Sequence, residues 1–174
     1  MAMLPIITAP DPRLKQVAKP VERVDARTRK LMDDMLETMY AAPGIGLAAP
    51  QVGVGQRIIV VDVSPDDAPE RQPYRMANPQ LLWVSEDDAT YNEGCLSVPE
   101  HYADVARPRA IRVRYVDEND EIRELEAEGL LATCIQHEMD HLEGILFIDH
   151  LTALKRNIIL RKLLKARKTT DAEV

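Results

Sequence analysis

The pentad His137-Glu138-Met139-Asp140-His141 carries residue types that can bind a metal and move a proton. On a helix, positions four apart stand one turn along on the same face. Two imidazoles so placed can reach a single divalent cation. Glu138, beside the first, can hold its carboxylate against a water at that ion. Such a pentad also arises by chance on amphipathic helices. Here both flanks are apolar: Leu130, Leu131, Cys134 and Ile135 before it, Leu142, Ile145, Leu146 and Phe147 after it. Polar groups inside so apolar a helix are costly without partners, so they need a reason.

A catalytic metal site needs a third protein ligand and an open position for water. Gly144 fits the extended pattern of one protease class, but Phe147 stands where its third histidine belongs. Glu143 lies about 200° around the helix from His141 and faces away. Cys134 shares the face of His137, but it is separated from His141 by roughly 10 Å of helix rise. It reads as a small apolar residue lining the site. The best upstream donor is Cys95, in Glu93-Gly94-Cys95-Leu96-Ser97-Val98-Pro99. A thiolate suits a soft or borderline cation and joins imidazoles readily. The alternative is a buried structural thiol, against which the neighbouring Gly94 argues for close backbone packing near a site. His101, in an expected loop after Pro99, is a weaker candidate. His150, near the start of a basic helix, reads as a surface or capping residue.

The elements that must position these groups are visible in the pattern. A first helix is expected from Asp25, its cap, to Tyr40, with Leu31, Met35, Leu36 and Met39 at helical spacing. Pro43 and Gly44 end it, and a glycine-bearing loop, 44–51, follows. Arg57–Val63, with its β-branched run, reads as a buried strand. Strands are expected at Tyr74–Ala77 and Gln80–Val84, separated by an Asn78-Pro79 turn, and at Ala89–Cys95. Ile111, Val113 and Tyr115 alternate with Arg112 and Arg114 as on a half-exposed strand. A turn at Asp117–Asp120 returns Glu121–Glu126 as its partner. Gly129 precedes a second helix, Leu130–Leu142. Strands in the middle and helices on either side give an α+β fold of mainly antiparallel sheet around a central metal-binding helix. Residues 1–150 read as a catalytic domain, and 151–174 as its basic C-terminal helix and tail.

The chain has 174 residues, 45% of them hydrophobic, which is enough for one packed core and excludes a disordered chain. No stretch approaches the roughly 18 apolar residues of a membrane span. The N-terminal dozen, broken by Pro5, Pro10 and Pro12, does not read as a secretory signal. With only Cys95 and Cys134, a disulfide scaffold is excluded and a reduced, cytoplasmic setting is expected. A net charge of −7 disfavours a DNA binder. That charge is uneven. Lys155, Arg156, Arg161, Lys162, Lys165, Arg167 and Lys168 sit between Thr152 and Thr170 with no acid among them. Leu151, Leu154, Ile158, Ile159, Leu160, Leu163 and Leu164 interleave with them, as in an amphipathic helix.

Three segments, Gly44-Ile45-Gly46-Leu47-Ala48-Ala49-Pro50-Gln51, Glu93-Gly94-Cys95-Leu96-Ser97 and Gln136-His137-Glu138-Met139-Asp140-His141-Leu142, together resemble the peptide deformylases. Pro10–Leu14 and Gly144–Asp149 fit the same family, so the resemblance covers nearly the whole chain up to the tail. It implies metal ligands at Cys95, His137 and His141, with Glu138 as catalytic carboxylate. It implies that the Gln51 amide and the Leu96 N–H bind the oxyanion. It implies that Gly46, Glu93 and Gly94 line the peptide groove, and that Ile45, Leu130, Thr133 and Cys134 line a pocket for the methionine side chain. The metal implied is Fe2+ in many members, with Zn2+, Ni2+ or Co2+ able to replace it. The activity implied is hydrolytic removal of the N-formyl group from the N-terminal methionine of new polypeptides, with release of formate. The tail resembles the ribosome-docking helix of some bacterial members; a helix merely packed on the domain is its alternative. Where many members carry an arginine after the cysteine motif, this chain reads His101-Tyr102. The rival enzyme is a zinc metallopeptidase using the same helix. A non-catalytic metal module would need a fourth protein ligand, for which His101 is the candidate.

Overall fold

The computed structural model describes residues 3–173, with side chains through Lys168. Met1, Ala2 and Val174, at the ends of the expected domain and tail, lie outside the described residues. Helix α1 spans Ala26–Ala41, and Asp25 caps it by accepting from the Thr28 N–H. Strands β1 (Gly46–Ala48), β2 (Ile58–Val61), β3 (Tyr74–Val84), β6 (Ala110–Val116) and β7 (Ile122–Glu128) form one antiparallel sheet in the order β1-β2-β3-β6-β7. β4 (Asp88–Cys95) and β5 (Val98–Pro108) form a separate hairpin. Helix α2 runs Gly129–Leu142 and α3 runs Ala153–Glu173.

The unbroken apolar run of β2 is explained by cover on both faces. Ile58 and Val60 pack with Met32, Met35 and Met39 of α1, while Ile59 and Val61 pack with Ala132, Ile135 and Leu142 of α2. Antiparallel strands usually leave one face wet; here two helices sandwich the strand, so alternation disappears. A third cluster, with Leu14, Val98, Val105, Phe147 and Leu163, ties the hairpin to the chain ends.

Two strand expectations need correction. Asn78-Pro79 does not separate two strands: β3 runs through it as a single strand with a register shift after Ala77. Asn78 adopts a positive φ of 50°. Its side chain accepts from the Val21 N–H and donates to the Val21 carbonyl, both at 2.8 Å. Its turn chemistry therefore kinks a strand and ties down the N-terminal segment. The region around His101 is not a loop but β5, an 11-residue strand. Its two prolines and its Glu100, Ala103, Asp104 and Ala106 give a poor β signal, which pairing with β4 overrides. Within the glycine loop, residues 46–48 pair with β2 as a short strand.

Helix α3 begins at Ala153, and only part of its apolar set is covered. Leu163 is buried and Ile159 and Leu160 pack beside it, whereas Leu154, Ile158 and Leu164 are exposed.

Candidate active site and metal centre

Cys95 ends β4 at the tip of the β4–β5 hairpin, and α2 carries the pentad beneath it. The hairpin delivers sulfur from mid-chain to the helix. Cys95, His137 and His141 each offer one ligand atom, and the three atoms lie within 4.8 Å of one another. The Cys95 Sγ to His141 Nε2 separation is 3.4 Å. Two ligands bound to one tetrahedral cation at 2.0–2.3 Å stand about 3.5 Å apart, so this spacing fits a shared ion. The two histidines are buried. His137 turns its Nδ1 to Glu93 Oε1 at 2.9 Å, which leaves Nε2 for a metal. Among the described residues the cluster comprises these three alone. His101 stands on β5 outside it, so the fourth ligand of a closed structural site is not found there.

The rejected donors are accounted for. The Cys134 thiol donates to the Ile45 carbonyl at 3.5 Å. Glu143 pairs with Arg57 at the surface. Phe147 stacks on His137 with ring centroids 6.2 Å apart. His150 is a surface residue whose Nε2 meets Asp140 Oδ2 at 2.8 Å.

Glu138 is buried among these groups, with Oε2 4.0 Å from His137 Nε2 and Oε1 3.9 Å from His141 Nε2. Its Oε1 has no hydrogen-bond partner in the protein. Burial pushes its carboxyl up to about 7, against the pull of His137 and Arg107. Burial holds His141 well below the usual imidazole range, with the charge of His137 adding to it. Burial also pulls on His137, but Glu138, Cys95 and Glu93 together raise it above that range. A carboxylate kept near neutrality, with a free oxygen beside three metal donors, can take up and return a proton.

Gln51 is locked in place. Its Oε1 accepts from the Ala48 N–H at 2.9 Å, and its Nε2 donates to Ser97 Oγ at 3.0 Å while lying 3.5 Å from Cys95 Sγ. The local tie to Ala48 and the approach to the sulfur therefore coexist. Leu96 lies in the hairpin turn. A cleft of about 700 Å³ opens over the centre. It is lined by Gln51, Cys95, Leu96, His137 and Glu138, and by all seven expected substrate contacts: Ile45, Gly46, Glu93, Gly94, Leu130, Thr133 and Cys134. At Gly46 an added Cβ would lie 2.4 Å from Glu138 Oε2 and 2.8 Å from Cys134 Sγ, so only glycine leaves that wall room. Tyr102 sits opposite Gly94 in the hairpin register, lines the cleft and is exposed.

Glu93 departs from a simple groove residue. Its side chain is buried and taken up by Arg107, whose Nε and Nη2 donate to its two oxygens at 2.7 and 3.0 Å. Arg107 Nη1 also donates to Asp140 Oδ2 at 2.8 Å. Sequence reasoning missed Arg107, Asp140 and Ser97 as supporting groups. Asp140, inside the pentad, was the available signal. Arg107 carried none, since no element was expected between His101 and Ile111.

The polypeptide deformylase family model matches residues 3–157. The chain is 56% identical over 175 residues to the peptide deformylase of Methylocella silvestris, covering 99% of this chain and 89% of that one. It is 57% identical over 168 residues to that of Phenylobacterium zucineum, covering 97% and 99%. The crystal structure of peptide deformylase from Ehrlichia chaffeensis superposes with a TM-score of 0.92 at 41% identity, over 97% of this chain and 99% of that one. The same organism's enzyme in complex with actinonin gives 0.91 at 43%, over 95% and 98%. With its cysteine, two histidines and carboxylate gathered under one cleft, this chain belongs to the polypeptide deformylase family.

Proposed function

We propose that this chain removes the N-formyl group from the N-terminal methionine of newly made polypeptides, with Cys95, His137 and His141 holding a divalent metal and Glu138 as the catalytic carboxylate. The observation that carries the reading is the convergence of those three donor atoms within 4.8 Å, beside the unpartnered Glu138 oxygen. A thiolate with two imidazoles suits a borderline cation, and ferrous iron is the proposed ion, with Zn2+, Ni2+ or Co2+ as substitutes. When bound, such an ion supplies Lewis-acid chemistry, polarising the formyl carbonyl and making water a better nucleophile. Glu138 accepts the proton that the attacking water loses. The Gln51 amide, whose second Nε2 hydrogen points at the Cys95 sulfur 3.5 Å away, and the Leu96 N–H would receive the negative charge that develops on the formyl oxygen; losing one such donor costs about 3–4 kcal/mol. Glu138 then returns its proton to the departing amine, leaving formate and a free N-terminus. Ile45, Leu130, Thr133 and Cys134 form the apolar end that takes the methionine side chain, and Gly46 and Gly94 let the peptide backbone approach. The carboxylate of Glu93 holds His137, and the residue also lines the peptide groove. The proposed location is the cytoplasm; among the described residues no helix is long and apolar enough to cross a membrane.

The test is anaerobic purification with metal analysis, followed by formate release from a formyl-Met peptide. Formate production that decays in air and persists under reductant is expected. Cleavage of internal peptide bonds without preference for the formyl group would instead indicate a metallopeptidase. Equal decay under argon would count against iron.

A further inference from the structure

One wall of the cleft is the segment 42–46, which leaves the end of α1 and enters β1. Asp62, just past the end of β2 and 2% exposed, holds this segment from both sides. Its backbone N–H donates to the Ile45 carbonyl at 2.8 Å, extending the β1–β2 ladder by one residue. Its carboxylate receives the Tyr40 hydroxyl, from the last turn of α1, at 2.5 Å. The Ser64 N–H and O–H occupy its other oxygen at 2.9 and 2.5 Å. Arg71 covers the Tyr40 ring 4.6 Å from its centroid, closing the far side. One buried side chain thus ties the residue before the wall, and its own backbone ties the residue within it. Among the described residues only one other backbone bond braces the start of this turn from α1, Gly44 N–H to Met39 O at 2.7 Å, besides the helical bond of Ala42.

We propose that Tyr40 and Asp62 are positioning residues that preform the wall of the methionine pocket. This rests on the deformylase reading above. With the Ile45 carbonyl turned towards Asp62 and the Cys134 thiol, the Ile45 side chain faces the cleft, 44% exposed, before any peptide arrives. Gly46 is held against Glu138 by the same constraint. A wall ordered in advance spares the peptide the cost of ordering it, so loosening it weakens binding more than chemistry.

The experiment compares wild type with Tyr40→Phe, which removes one hydroxyl and keeps the ring, and with Asp117→Asn, which loosens the β6–β7 turn, none of whose residues lines the cleft. Amide exchange of residues 41–48 and 62–64 is followed on the metal-loaded proteins, and kcat and KM are measured on a formyl-Met tripeptide. In Tyr40→Phe we expect exchange in those segments to quicken about tenfold. KM should rise about fivefold, with kcat within about twofold. Asp117→Asn should move neither. Unchanged exchange in Tyr40→Phe overturns the clamp. Quickened exchange with unchanged KM, or the same changes in Asp117→Asn, overturns its role in positioning. If wild type releases no formate, the deformylase reading falls, while exchange still decides the clamp.

Discussion

Glu138 shows how far one side chain's role depends on its surroundings. The same carboxylate on a solvated helix face would titrate near 4 and bond to water. Buried beside His137 and His141, with one oxygen unpartnered, it is placed to exchange a proton with substrate. Glu138→Gln keeps the shape and removes the base. The expected result is a fall in kcat of about 10²–10⁴-fold, the range of general acid–base catalysis, with metal content and unfolding midpoint unchanged. Metal analysis alongside the formate assay separates this from a lost ion. A variant that kept wild-type kcat would show that Glu138 moves no proton. His137, His141 and Glu138 were legible in the sequence because helical spacing converts directly into geometry. Cys95 was legible as a donor type, though nothing in the chain says how far residue 95 folds from residue 141. Arg107 was not legible, since a buried guanidinium is recognised only by the carboxylates it meets.

At the scale of elements, the β4–β5 hairpin is attached to α2 by charge as well as meeting it at the proposed metal ligands. Arg107 of β5 bridges Glu93 of β4 and Asp140 of α2, and Arg107 and Glu93 are both nearly inaccessible. Removing one partner of a buried ion pair strands the other and costs about 3–5 kcal/mol. Arg107→Met should therefore lower the unfolding free energy of the metal-free protein by that amount, read as a lower urea midpoint. Because Glu93 also holds His137, it should also weaken metal retention by about 10–100-fold in chelator competition. An unchanged midpoint would mean that the bridge is not formed. The β6–β7 turn makes a separate case, remote from the metal. Burial opposes ionisation of Asp117, yet the Arg123 guanidinium and the N–H groups of Glu121 and Asn119 hold its carboxyl below the ordinary range. A lowered folded pKa means stability present above about 3.8 and lost as pH falls through the depressed value. Asp117→Asn should cost about 1–2 kcal/mol at pH 7, and the gap from wild type should narrow at a pH below 3.8. Urea midpoints at the two pH values measure it; a gap independent of pH would assign the loss to packing. That turn was readable because Asp117-Glu118-Asn119-Asp120 encodes it locally. β5 and the kink in β3 were not, because their strand character comes from partners distant in sequence.

Across the whole molecule, charge is segregated. The seven basic residues of α3 leave only 15 of the chain's 22 for the rest, which carries nearly all of the 29 acids. Lys155, Arg161, Lys162, Lys165, Arg167 and Lys168 are exposed, while Leu163 fastens the helix to the third core cluster. Packing explains Leu163, Ile159 and Leu160. It does not explain why every charged side chain described on α3 is a cation, or why Leu154, Ile158 and Leu164 remain uncovered. We propose that the exposed side of α3 meets ribosomal RNA phosphate. Deleting the helix would confound docking with the loss of the Leu163 anchor. Charge reversal at Arg161, Lys162 and Lys168 leaves that anchor in place. The triple change to Glu should keep formate release from a free tripeptide unaltered. It should abolish co-sedimentation with ribosomes, and the wild-type interaction should itself weaken steeply between about 50 and 200 mM salt, as counterion release requires. Sedimentation that survives both the reversal and the salt would place any ribosome contact elsewhere on the surface and leave α3 with a packing role only.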